Sequence, residues 1–185
     1  TNQEPITTNQ LAQQWLSYAI GIVLGQFQPG NPDGLGRGTF DTTAGERLLA
    51  IRDEDGLIPV DTDHPQDMAG QVWSALEIML GDTAAADVVR EALGPGSPHD
   101  LLRGFLADKY FKNHIQQYRK RPIYWLLQSS KKNFALWLYY QRLDKDLLFK
   151  ALVNYVEPKI RLETSHLETL CSQMAAAGDS SISDK

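Results

Sequence analysis

Cysteine is almost absent. Cys171 stands alone among 185 residues, so no internal disulfide can form, and a reducing, cytoplasmic setting is expected. Long apolar runs are absent too. The longest, around Ala19–Leu24, is interrupted by Gly21 and falls far short of the ~20 residues a membrane span needs. No basic segment followed by an apolar one opens the chain, so nothing points to secretion, and no membrane partner is expected. Metal-ligand spacing is missing: His64, His99, His114 and His166 are scattered and none is spaced with Cys171 to bind zinc. No serine sits in a nucleophile-elbow context. "DEDG" (53–56) lacks the alternating ligands and closing glutamate of a calcium loop, because position 64 is His64. "GLGRG" (34–38) follows no strand and opens no helix, so it fails as a dinucleotide fingerprint and reads as a loop. Asp61 and Asp63 read as a solvated turn. No catalytic or metal-binding residue is visible.

What is present is an uneven charge. The chain carries a net −5, but residues 1–102 hold 4 Lys/Arg against 15 Asp/Glu, whereas residues 103–150 hold 11 against 3. A net +8 inside an acidic chain is either a polyanion footprint or a surface that pairs with the acidic half. The positive charge clusters around aromatic segments: Arg119, Lys120 and Arg121 precede "PIYWLL", Lys131 and Lys132 follow it, and Arg142 closes "FALWLYYQR". Cations beside rings suit nucleic acid, with the cations meeting phosphates. At strand spacing, however, the rings are more often core than platform.

Periodicity places an amphipathic helix over residues 9–27, with Asn9 as N-cap, ended by Gln28-Pro29-Gly30. Five glycines and two prolines across 29–45 predict a flexible loop. "DGLIPV" (55–60) suits an edge strand, since Pro59 argues against a central one. Helices follow around 66–80, through Val89 to Leu93, and from Ser97 with a break near Gly104. Pro122 ends the last of these. Residues 123–127 and 134–140 read as a β-hairpin with a loop of about five residues. An apolar stripe from Leu147 to Leu170 reads as a helix that Pro158 kinks or ends. The fold class is α+β, predominantly helical, with one aromatic hairpin packed among helices. Its divisions are an N-terminal helix (1–28), a Gly/Pro-rich and acidic loop (29–54), a helical domain with the basic hairpin (55–163), and a helix extension with a disordered tail (164–185). Neither hairpin face is polar, so both are expected to be covered, by helices near Phe111 and Leu148. Truncating a core Trp125 is then expected to cost ~3–5 kcal/mol.

"KYFKNHIQQYRKRPIYWLLQSSKKNFALWLYYQRLDKDLL" resembles a signature region of the large adenine-specific DNA methyltransferases related to Eco57I-type restriction–modification enzymes, nearest to the BREX phage-defence PglX family. Phe111, His114 and Tyr118 on a helix, then Lys120, Arg121, Pro122, Ile123, Tyr124 and Trp125, then Ser129 and Ser130, then Tyr140 and Arg142 occupy the family's places; Gln141 stands where a histidine is usual. "LSYAIGIVLGQF" (16–27) and "DEDGLIPV" (53–60) resemble two further family stretches in consistent order. The resemblance implies N6-adenine methylation by a longer parent protein using S-adenosylmethionine. This chain has no Asn-Pro-Pro-Tyr-type tetrapeptide, so the implied role is a non-catalytic segment downstream of the catalytic domain, and the opening Thr1-Asn2-Gln3 suits an excised piece. Expected partners are double-stranded DNA, through Arg119, Lys120, Arg121, Lys131, Lys132 and Arg142, and the parent's methyltransferase domain. No cofactor is expected in the segment itself. The alternative is a structural or protein-interaction module, with an independent small enzyme as the third reading.

Overall fold

A computed structural model describes residues 5–30 and 42–180. The glycine-rich stretch including "GLGRG" and the last five residues of the polar tail lie outside them. The chain divides into two compact units, Thr1–Leu143 and Asp144–Lys185.

In the first unit, helix α1 (Thr8–Val23) is capped by Thr7, two residues earlier than the expected Asn9. The Thr7 hydroxyl accepts from the Gln10 N–H while the Gln10 side chain accepts from the Thr7 N–H, which satisfies two otherwise orphaned donors. Asn9 instead donates its amide to the Glu91 carbonyl at 2.7 Å. The helix ends before Pro29, at Gly25. With φ of 77°, Gly25 lets its own N–H reach the Ile22 carbonyl and the Gln26 N–H reach Gly21, a Schellman closure. Leu16, Ala19, Ile20 and Val23 are buried against α3 (Met68–Leu80) and α4 (Asp82–Leu93). Asp67 caps α3 through the Gly70 N–H and grips Arg103 with two 3.0 Å bonds.

Within the stretch 29–54 read as a loop, residues Thr42–Ala50 form helix α2. The glycine count hid the Ala-Gly-Glu-Arg-Leu-Leu segment, whose Leu48 is fully buried. Helix α5 (Pro98–Gly104) runs through a π-helical turn (Phe105–Lys109) into α6 (Tyr110–Gln117). The expected break at Gly104 is therefore a local widening of one continuous rod.

Strands β2 (Tyr124–Gln128) and β3 (Ala135–Tyr139) form the hairpin, and β1 (Leu57–Pro59) adds to its far side in the antiparallel order β1-β3-β2. Pro59 thus sits on an edge strand, where its missing N–H is harmless. β3 is central and buried along its whole length. β2 is the other edge, and Trp125 and Leu127 are 47% and 43% exposed. Trp125 is therefore not a core residue, because among the described residues only β1 extends the sheet and it joins on the β3 side. The structure places Leu148, expected to cover the hairpin, as an exposed residue in the second unit.

The second unit is a helix in three parts: α7 (Leu147–Lys150), a π-helical stretch (Ala151–Val156) and α8 (Glu157–Ser180). Pro158 does not end it. The proline falls in the first turn of α8, where its missing N–H follows the π turn. The helix also runs past Gly178, into the residues read as tail. No helix among the described residues is long and apolar enough to cross a membrane.

Candidate nucleic-acid interface

The buried face of α6 explains how the cations are placed. Residues 110 and 114 lie one turn apart, and both Tyr110 and His114 are buried. His114 Nε2 accepts from the N–H groups of Ile123 and Tyr124, each at 3.1 Å. The imidazole therefore works as an acceptor that ties the end of α6 to the start of β2. Its ring stacks on Tyr124 at 4.6 Å and 20°, with Tyr118 at 4.5 Å on another side. Burial lowers the His114 pKa to about 4, which keeps the ring neutral. The proton then resides on Nδ1, which has no partner among the described residues. Burial likewise raises the hydroxyl pKa values of Tyr110, Tyr124 and Tyr139, so these phenols stay protonated. The Tyr124 hydroxyl bonds Gln26 and pins the end of α1 to the sheet. Phe111 packs its ring against both Trp125 and Trp137. The signature residues Phe111, His114, Tyr118, Tyr124 and Trp125 are thus one bracing cluster between helix and hairpin.

Between α6 and β2 the backbone turns sharply. The Arg119 N–H reaches the Gln116 carbonyl and the Lys120 N–H reaches Ile115, a second Schellman closure. At the end of α1 the left-handed position is Gly25; here it is Arg119, with φ of 49°, followed by Lys120 at 66°. An L-residue in that region costs about 1 kcal/mol or more relative to glycine. Arg119, Lys120 and Arg121 are exposed, and their side chains have no ion-pair partner among the described residues.

The opposite end of the hairpin holds the second cationic group. Ser129 closes it: its N–H reaches the Phe134 carbonyl, and its hydroxyl accepts from the N–H groups of Asn133 and Phe134. Lys131 projects from this loop without a partner among the described residues. Lys132, also left-handed at φ 59°, pairs with Asp108. That bond and nearby Lys112 hold the Asp108 carboxyl below the usual carboxylate range. Gln128 donates to the Ala107 carbonyl at 2.7 Å, docking the hairpin on the π turn. The five residues of β2 separate the two cationic ends by about 17 Å.

Arg142 behaves differently from the other five. Its Nη1 donates to the carbonyls of Asp53 and Glu54 at 2.7 and 2.8 Å. A Cβ on Gly25 would lie 2.7 Å from its guanidinium, and one on Gly56 would lie 2.8 Å from its own Cβ. The side chain is clamped between two glycine turns and holds the 53–56 loop, while the other five candidates face solvent. Asp53, in that loop, is 5% exposed, and burial with the neighbouring Asp55 charge raises its pKa to about 7. Among the described residues, no group of three or more His, Cys, Asp or Glu side chains could hold a metal. Sequence reasoning missed His114 as the bracket, and also Gln26, Gln128 and Asp108. For His114 the signal was its place one turn after Tyr110, on the apolar side of α6.

No family model matches the chain. Two curated proteins are similar to it. One is the adenine-specific methyltransferase BrxX of Escherichia coli O9:H4 (strain HS), 26% identical over 183 residues, covering 88% of this chain and 15% of that protein. The other is the adenine-specific methyltransferase PglX of Lacticaseibacillus casei (strain Zhang), 28% identical over 155 residues, covering 78% of this chain and 13% of that protein. The chain thus spans about one seventh of the length of the relatives it matches. By these similarities over most of its length, the chain is related to the BREX PglX-type adenine-specific methyltransferases.

Proposed function

We propose that this chain is a non-catalytic, DNA-supporting segment of an S-adenosylmethionine-dependent N6-adenine DNA methyltransferase acting in cytoplasmic phage defence or restriction–modification. The exposed turn Arg119–Arg121 and the loop cations Lys131 and Lys132 lie along duplex phosphates. One observation carries this reading. Two successive cations occupy left-handed backbone in a turn that the same chain elsewhere builds with glycine. Local folding gains nothing from that choice, and an exposed, unpaired pair of positive charges does favour a polyanion. Among the described residues no strand leads through a glycine-rich loop into a helix, so the residues present do not fit S-adenosylmethionine, and the parent's other parts would hold it. Calorimetric titration of that cofactor into this chain should show no binding; saturable heat would point to an independent enzyme.

The salt dependence of duplex binding tests the phosphate contacts. Five cations on the backbone give a log–log slope near −4 to −5, and Arg119→Ala, Lys120→Ala and Arg121→Ala together should reduce its magnitude by about 3. Undetectable binding at 50 mM salt would count against the proposal. Arg119→Gly separates function from folding. It should leave the melting temperature unchanged or raise stability by up to ~1 kcal/mol, while lowering the slope by about 0.9. A destabilised glycine variant would mean that the arginine serves the fold.

A second reading has its own support. Ile160, Leu167, Leu170 and Met174 of α8 are 56–75% exposed, an apolar series suited to packing against the parent's methyltransferase domain or a defence-system partner. Charge reversal at Arg119, Lys120 and Arg121 distinguishes the two. Lost association with that domain at unchanged DNA affinity would favour the interaction module.

A further inference from the structure

The face of α6 opposite its buried bracket has a composition of its own. At 100° per residue, Lys109, Lys112, Asn113 and Gln116 fall within one exposed arc away from His114, and Gln117, also exposed, sits at its edge about 20° from Tyr110. Asn113, Gln116 and Gln117 have no side-chain partner among the described residues. A shallow groove of about 440 Å³ separates this arc from α1, and Gln13 and Ser17 form its far wall. A wider depression continues from it, and there Gln14 of α1 faces Gln116. The surface between the two helices is therefore rich in carboxamides, uncharged groups that each carry a donor and an acceptor.

We infer that the exposed face of α6 reads base edges in the major groove of duplex DNA, with Asn113, Gln116 and Gln117 contacting adenine. This rests on the phosphate-binding role proposed above. A carboxamide can accept from adenine N6 and donate to N7 at once, a pairing that no other base edge offers. Spacing supports the placement. From Lys109 to Arg119 the rod rises about 15 Å, against a major groove about 12 Å wide. The cations at the two ends thus reach the phosphates on either rim, and the amides lie between them over the bases. Of the two carboxylates that line the groove, Asp108 is taken up by Lys132 and Lys112, and Asp100, in the first turn of α5, sits on the groove's α5 wall rather than on α6. His114 would fix the register, since it holds the helix that bears the amides to the hairpin that bears the cations.

Selection from a random duplex pool tests the inference on the full chain. Wild type should enrich a short motif containing A·T pairs by about tenfold or more over background. The triple variant Asn113→Ala, Gln116→Ala, Gln117→Ala should fold, because alanine is a better helix former at exposed positions. It should lose the enrichment while keeping its affinity for unselected duplex within about twofold and its salt slope unchanged. If the variant enriches the same motif as wild type, or wild type binds duplex but enriches nothing, the inference is wrong and the phosphate role stands. If wild type binds no duplex, both fail.

Discussion

Replacing Trp137 with alanine is expected to destabilise the first unit by about 3–5 kcal/mol. Trp137 is fully buried at the centre of β3, paired with Ile58 on one side and Leu126 on the other. Its indole lies 5.3 Å from the Tyr110 ring and meets Phe111 edge-on at 5.8 Å. Alanine would remove the contact between sheet and helical rod at once, and close packing leaves little room for collapse. The indole N–H has no partner among the described residues, so Trp137→Phe should cost much less: it keeps a ring and removes an unsatisfied donor. Trp125→Ala should cost only about 1–2 kcal/mol, because roughly half of that ring is already in water. Urea unfolding followed by near-ultraviolet circular dichroism gives all three values. Equal losses at Trp125 and Trp137 would refute the assignment of β2 to the sheet edge.

These two tryptophans also show where sequence reading stops. Strand alternation told which residues share a face, but not which strand is central. That depends on Leu57-Ile58-Pro59, three residues that pair with β3 from 77 or more positions away. Arg142 is a similar case. A cation at the end of an aromatic strand reads as exposed, and only the approach of Gly25 and Gly56 makes it a clamp. Local signals fared better. Gly94 after α4 and Ser97 before α5 mark element ends that follow from short-range backbone chemistry, whereas α6 closes at Arg119, ahead of the Pro122 expected to end it. The π-helical turns had no such signal, since they answer to packing along the rod. Residues Arg119–Arg121 were visible as charge; their left-handed backbone, which bears on their role, was not.

Acid should expose two opposing titrations that nearly cancel in the wild type. His114 has a folded pKa of about 4 against 6.5 unfolded, so its contribution is fully present above pH 6.5 and is lost as pH falls toward 4. The cause is burial, which disfavours the charged ring; a proton on Nε2 would in addition face the Ile123 and Tyr124 N–H groups that it now accepts from. The full swing is on the order of 3 kcal/mol. Asp53 runs the other way. Its folded pKa of about 7 exceeds the unfolded 3.8 because burial and Asp55 disfavour its charge. Its contribution is fully present below pH 3.8 and is lost as pH rises through 7. Between pH 4 and 6.5 one slope therefore offsets the other. Asp53→Asn should uncover the histidine, giving stability that falls on acidification more steeply than in wild type. His114→Gln should uncover the aspartate, giving a lower starting stability that declines less, or rises, as pH drops from 7 to 4. Urea midpoints at pH 4.5, 5.5, 6.5 and 7.5, read as differences from wild type, separate these from the remaining carboxylates. If His114→Gln tracks wild type across that range, His114 titrates normally and is not the neutral bracket that joins α6 to β2; if Asp53→Asn does, the Asp53 carboxyl is not the raised group.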